Sequence, residues 1–160
     1  MPLTLVDQDG QSFALDSYRG HPVLVSMFYA SCPYACPTLI SQIQRVDRAL
    51  SARARGDLRV LLVSFDPERD TPEKLKQLCL ERHVDETRWR LARASADDVR
   101  QLAAVLGVKY KRLDDGGYNH SSVITVLDQQ GFVRARSDGL AQQVDPQIGD
   151  ALSLLARNGA

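Results

Sequence analysis

The stretch PVLVSMFYASCPYACPTL, residues 22 to 39, holds the pattern that decides the fold. Its near-continuous apolar run over 22–30 is typical of a β-strand that is buried on both faces. From Pro37 onwards the apolar residues recur at helical spacing. Cys32 and Cys36 lie between the end of this strand and the start of this helix. The stretch therefore predicts a strand–loop–helix unit with a thiol pair at its junction.

The rest of the chain alternates predicted strands and helices. Strands are predicted at 3–7, 12–16, 22–30, 58–65, 88–94, 121–128 and 131–139, and helices from Pro37 and over 71–83, 95–107 and 146–156. The first two strands flank an Asp-Gly turn, and the last two form a second hairpin. This order predicts one α/β domain over 1–160 with a thioredoxin-like fold. We expect a central mixed sheet flanked by helices, with an N-terminal β-hairpin extension.

The composition is that of an ordinary globular protein. The chain has 160 residues, 44% of them hydrophobic and 25% charged, and Lys+Arg balance Asp+Glu at 20 each. This balance gives no reason to expect a nucleic-acid or anionic-membrane partner. No apolar run approaches the roughly 20 residues that span a bilayer. The first ten residues also lack the order of a signal peptide, so either a cytosolic protein or a chain that has lost a leader or anchor remains possible.

The cysteine pair lies at the sheet edge where binding sites collect in open α/β folds. Residues four apart on a helix have Cβ atoms about 5–6 Å apart, whereas a disulfide needs about 3.8 Å. A Cys32–Cys36 bond therefore requires Cys32 on a loop that curls over the first helical turn. Pro33 keeps that loop out of helix, and Pro37 suits the first helical position. The helix N-terminus favours thiolate at both cysteines, so a disulfide, a metal site and a pair of buried thiols all remain open.

The third candidate residue is His120. Thioredoxin-type redox motifs have two residues between their cysteines, and a cis-proline loop faces them just before the hairpin strand. No proline lies near Ser122, where that loop is expected, and His120 takes its approximate place. Two sulfurs and one imidazole suit Cu(I), with Cu(II) as a second state if a further ligand joins. Zinc normally takes four ligands in a closed site, and no fourth strong ligand is evident.

The remaining histidines and cysteine carry weaker signals. His21 precedes a strand at the opposite end of the sheet, and His83 ends a helix far along the chain, so both are interpreted as structural or exposed. Cys79 lies with Leu75 and Leu78 on one helical face, which indicates core packing rather than chemistry.

Three motifs together resemble the Sco/SenC proteins, which are thioredoxin-like copper proteins that help to assemble cytochrome c oxidase. The motifs are CPYACP at 32–37, SFDPERDTPEKL at 64–75 and NHSSVITVLD at 119–128. The resemblance covers nearly the whole chain and implies that Cys32, Cys36 and His120 are copper ligands. It also implies a periplasmic domain, usually behind an N-terminal membrane anchor, or a domain of the mitochondrial intermembrane space in a eukaryote.

Two positions depart from the family pattern. Asn119 stands where the family often has Asp before the histidine, which leaves the outer-shell partner of His120 open. His21 stands where the family usually has Lys, and we attach no function to it.

Two functions follow from the resemblance and the cysteine pair. The first is a copper metallochaperone for the dinuclear copper A centre of the oxidase subunit, with other copper chaperones as further partners. The second is a thiol–disulfide reductase, with Cys32 and Cys36 as its redox pair, that reduces the cysteines of that subunit. A peroxiredoxin is a weaker third hypothesis, because the residues that surround a peroxidatic cysteine are missing around Cys32. The loop at 66–72 is either a turn with a helix cap or a docking surface for the partner.

Overall fold

The structure, a computed structural model, describes residues 3–29, 35–108, 110–112, 118–120, 123–138 and 146–158. Within these ranges the side chains of 35–38, 110–112, 118–120, 138, 146–147 and 156–158 are not described. Cys32 therefore lies outside the described residues, and Cys36 and His120 are described by their backbone alone.

Nine strands and five α-helices make up the described chain. The strands are β1 Thr4–Val6, β2 Ser12–Ala14, β3 Val23–Phe28, β4 Arg59–Ser64, β5 Trp89–Ala92, β6 Tyr110–Arg112, β7 Tyr118–His120, β8 Val123–Leu127 and β9 Val133–Asp138. The helices are α1 Ala35–Ala49, α2 Ala52–Asp57, α3 Pro72–Glu81, α4 Ala96–Leu106 and α5 Pro146–Asn158, and a short 3₁₀ helix covers Leu15–Tyr18.

The central sheet is mixed, as the sequence predicts. Its strand order is β5-β4-β3-β8-β9, and two separate hairpins pair β1 with β2 and β6 with β7. β3 runs parallel to β4 and antiparallel to β8. Every residue of β3 is buried, which is the pattern expected of a central strand covered on both faces.

Side-chain hydrogen bonds cap the first turns of two helices, α3 and α4, at the residues that the sequence predicts. The Thr71 hydroxyl accepts the Lys74 N–H at 3.3 Å, with Pro72 as the first residue of α3. The Ser95 hydroxyl accepts the Asp98 N–H at 3.2 Å at the start of α4. These bonds satisfy N–H groups that have no partner within the helix.

The structure corrects three local predictions. α1 begins at Ala35, so Pro37 is not its first residue, although it stays within the first turn, where a missing N–H costs no helix bond. The basic run ARARG at 52–56, which the sequence predicts to be a solvated helix end, belongs to a separate short helix, α2. The β6–β7 hairpin was not predicted, and His120 is the last residue of β7 rather than a loop residue.

A buried ion pair connects α1 to the chain at the start of β5. Arg88 Nη1 and Nη2 donate to the two carboxylate oxygens of Asp47 at 2.9 and 2.7 Å. The side chains of Arg88 and Asp47 are only 10% and 6% exposed. Such a two-pronged pair fixes orientation as well as distance, so it holds the C-terminal half of α1 beside the start of β5.

A membrane span would need a longer, more apolar helix than any found in the residues that the structure describes.

Candidate metal centre

The cysteine segment connects the central strand to the first helix. β3 ends at Phe28, and α1 begins at Ala35. Cys36 is the second residue of α1, so its backbone N–H belongs to the unpaired first turn. A thiolate at such a position is stabilised by the positive end of the helix dipole.

The sheet topology brings the backbone of His120 to the same edge. His120 pairs with Tyr110 at the end of β7, and β8 begins three residues later at Val123. Because β8 is antiparallel to β3, the start of β8 lies at the edge where β3 ends. The backbone atoms of Cys36 and His120 therefore share one sheet edge, while Cys32 falls in the segment outside the described residues.

β3 lies between two neighbouring strands near this edge. It pairs with β4 as far as Phe28, which lies opposite Ser64. Its described pairing with β8 places Ser26 opposite Ile124.

The loop at 66–72 follows a residue that is bonded to the end of β3. The Phe65 N–H donates to the Phe28 carbonyl at 2.9 Å. The rings of Phe65 and Tyr29 also pack with their centroids 5.3 Å apart. These contacts connect the end of β3, which leads into the cysteine segment, to the end of β4, which leads into the loop at 66–72.

A buried polar cluster shapes this loop. The Ser64 hydroxyl donates to Asp70 Oδ2 at 2.5 Å and accepts the Asp66 N–H at 3.0 Å. Arg69 Nε donates to Asp66 Oδ2 at 2.6 Å. Ser64, Asp66 and Asp70 are all at most 2% exposed. Short O–H···O⁻ bonds of this kind are charge-assisted, so Ser64 and Asp70 hold both ends of the loop to one strand.

The third cysteine lies in a different environment. Cys79 is 1% exposed on α3, and its burial raises the pKa of its thiol to about 12. A thiol with this pKa is fully protonated at neutral pH, and the thiol form is a poor metal ligand and a poor nucleophile. Cys79 is therefore a core residue, as its place on an apolar helix face predicts.

The other two histidines also have structural settings. His21 Nδ1 lies 3.2 Å from the main-chain oxygen of Asp57, at the end of β3 opposite the cysteine segment. His83 follows α3 with a φ of 53°, a left-handed conformation that ends the helix.

No other described part of the chain competes as a metal site. Among the described side chains, which exclude those of Cys32, Cys36 and His120, no three His, Cys, Asp or Glu groups are placed to hold a metal ion. A mainly apolar cavity of about 310 Å³ is lined by Val23, Leu106 and Leu127, among others. It lies at the opposite end of β3, away from the candidate centre.

Sequence reasoning missed the buried polar residues around the centre. Ser26 interrupts the apolar run of β3, and that interruption is the one signal that could have pointed to it. Ser64 and Asp70 belong to the motif at 64–75, but serine and aspartate are also typical of turns, so the motif did not indicate that they are buried and bonded to each other.

The sheet order, the N-terminal hairpin and the cysteine pair where the central strand meets α1 define a thioredoxin-like domain. The SCO1/SenC family model matches residues 1–150. The chain belongs to the SCO1/SenC family.

Individual relatives agree with this assignment. The SCO2-like protein RP587 of Rickettsia prowazekii is 30% identical over 136 residues, which cover 81% of this chain and 64% of the relative. The structure of Bradyrhizobium japonicum ScoI with copper bound has a TM-score of 0.77 at 25% identity and covers 98% of this chain and 97% of its own. A SCO1/SenC family lipoprotein from Bacillus anthracis has the same fold, with a TM-score of 0.87 at 20% identity over 98% of this chain and 94% of its own.

Proposed function

We propose that this protein binds copper and carries it to the copper-binding subunit of cytochrome c oxidase, where the dinuclear copper A centre is assembled. Cu(I) is the cargo, and Cys32, Cys36 and His120 are its ligands. The proposal rests on membership of the SCO1/SenC family and on the copper-bound ScoI structure. We also propose that the domain lies outside the cytoplasmic membrane, in the periplasm or an equivalent compartment, because the family resemblance implies it.

The observation that carries the proposal is the shared sheet edge of α1 and β7. A thiolate pair at a helix N-terminus and an imidazole on the neighbouring chain form a soft S₂N donor set, which suits Cu(I). Two thiolates and one Cu(I) leave one net negative charge, which the helix N-terminus stabilises. Exchange of these ligands with an acceptor rich in Cys and His then transfers copper in small steps.

Metal binding is tested by anaerobic loading of the reduced protein with Cu(I), followed by metal analysis and X-ray absorption. We expect one copper per chain, with two sulfur ligands and one nitrogen ligand. His120→Ala should lose the nitrogen ligand. His83→Asn is the matched control, because it removes a histidine at a positive φ that asparagine also tolerates. A spectrum that His120→Ala leaves unchanged would exclude His120 from the site.

The alternative function is reduction of a disulfide in the oxidase subunit. It needs only the Cys32–Cys36 dithiol, which becomes a disulfide as the subunit's cysteines are reduced. The thioredoxin-like placement of the cysteine pair supports this alternative, whereas the reductase has no use for an imidazole at the same edge.

Copper transfer separates the two functions. Copper-loaded protein is mixed with the reduced apo subunit, and the thiolate-to-copper absorption of the dinuclear centre is followed. For a chaperone, wild type builds the centre in proportion to the copper it carries, and His120→Ala fails although it still reduces a disulfide. If His120→Ala supports assembly as well as wild type when free copper is supplied, the reductase function is correct.

A further inference from the structure

The central strand β3 contains one polar side chain. Ser26 is fully buried and lies in an otherwise apolar strand, Val23–Phe28. It lies opposite Ile124 in the pairing of β3 with β8.

The Ser26 hydroxyl forms a hydrogen bond to the neighbouring strand. It donates to the main-chain oxygen of Val123 at 2.6 Å. Val123 is the first described residue of β8 and is 3% exposed, so little water can compete for this bond. The bond therefore ties β3 to the described start of β8 from within the core.

The two chains that meet at this bond lead to the proposed copper ligands. Cys32 follows Ser26 by six residues, and His120 precedes Val123 by three. Because an extended chain covers at most about 3.6 Å per residue, the Cα of His120 lies within roughly 11 Å of the Cα of Val123. A displacement of the Val123 backbone should therefore also displace the His120 backbone, because the two residues are only three positions apart.

We propose that Ser26 is a positioning residue for His120. Its hydroxyl sets the distance between the chain that carries the cysteines and the chain that carries the imidazole. The inference rests on the proposed function and extends it to a residue that touches no copper. Loss of the hydroxyl should loosen the start of β8 and the approach of His120, while the two sulfurs, which depend on β3 and α1, stay in place.

The test uses Ser26→Ala and measures Cu(I) affinity by competition with a Cu(I) chelator. We expect affinity to fall about tenfold, because a metal ligand must be held within roughly 0.5 Å of its productive position. X-ray absorption should show a weaker nitrogen contribution and two unchanged sulfurs. The reduction potential of the Cys32–Cys36 disulfide should stay at its wild-type value, because the variant leaves the N-terminus of α1, which stabilises the thiolates, unchanged.

Two comparisons separate positioning from general destabilisation. Threonine and valine side chains have nearly the same shape as each other, but only threonine keeps the hydroxyl. Ser26→Thr should therefore retain more Cu(I) affinity than Ser26→Val. Val23→Ala removes two carbons at the other end of the same strand, where Val23 is 2% exposed. It should lower the unfolding temperature and leave Cu(I) affinity unchanged.

Each outcome decides the matter. Wild-type affinity and nitrogen ligation in Ser26→Ala, equal affinities of the Thr and Val variants, or an equal loss in Val23→Ala would each overturn the role of Ser26. If Ser26→Ala does not fold, the Thr and Val pair gives the answer. If X-ray absorption of the copper-loaded wild-type protein shows no nitrogen ligand, both the proposed copper site and the role of Ser26 are refuted.

Discussion

In the native protein, Cys79 should be alkylated much more slowly than an exposed cysteine, and the pKa of Cys79 gives the expected ratio of the two rates. Burial raises the pKa of Cys79 to about 12, whereas an exposed cysteine has a pKa of about 8.5. At pH 7.5 this difference of about 3.5 units leaves roughly three thousand times less thiolate, which is the reactive form. The side chain is also 1% exposed, so the reagent has little direct access to the sulfur.

The assay treats reduced, metal-free protein with iodoacetamide at pH 7.5 and maps the labelled peptides over time. Cys32 and Cys36 should react within minutes, and Cys79 at least about a thousandfold more slowly until denaturant is added. After oxidation of the native protein, thiol counting in denaturant should give one free cysteine, Cys79. Cys79→Ala is the control and should remove only the slow label. Fast labelling of Cys79, or its presence in a disulfide, would refute both its burial and the assignment of the thiol pair.

Three further perturbations test the packing around the centre. Arg88→Ala should lower the free energy of unfolding by about 1.5–3 kcal/mol, because the buried Asp47 carboxylate loses both hydrogen bonds from Arg88 and keeps the Arg55 ion pair at 3.5 Å; a loss under 1 kcal/mol in urea unfolding would contradict this. Thr125→Val should raise the unfolding temperature by about 2–4 °C, because the buried Thr125 hydroxyl has no hydrogen-bond partner among the described residues; calorimetry showing a decrease would mean that the hydroxyl is satisfied. Burial alone would raise the pKa of Asp128, but hydrogen bonds from the Phe132 N–H, Arg134 and the Gln130 N–H lower it below its usual range. The Asp128 carboxylate therefore stabilises the folded protein above about pH 4, and this stabilisation is lost as pH falls through the lower folded pKa. Asp128→Asn should flatten that part of the acid unfolding curve, and an unchanged curve would refute the role of the carboxylate.

The cysteine edge could be predicted from sequence because its signals are local. An apolar run followed by helical spacing places Cys32 and Cys36 at a strand–helix junction without any knowledge of the partner strands. The Thr71 and Ser95 caps were predictable for the same reason, since each bond joins residues three positions apart.

The bond between Ser26 and Val123 could not be predicted, because it joins two strands that are far apart in the sequence. The segment 121–128 has the composition of a strand, but composition does not say which of its residues lie opposite which residues of β3. The β6–β7 hairpin was missed for another reason: its described strands cover three residues each, which is too short for an alternating pattern to be recognised.

The loop at 66–72 shows how a motif can serve stability and function through different residues. Asp70 is fully buried and bonded to Ser64, and Thr71 caps α3, so both residues are explained by the fold of the loop itself. The Arg69 side chain differs, because it is 38% exposed while its Nε is held by Asp66. An arginine that is already held in one position loses less side-chain entropy in any further contact. The bonds of Ser64 and Asp70 therefore explain the shape of this loop beside the end of β3 without a partner protein, whereas the docking hypothesis stays a prediction that concerns the exposed part of Arg69.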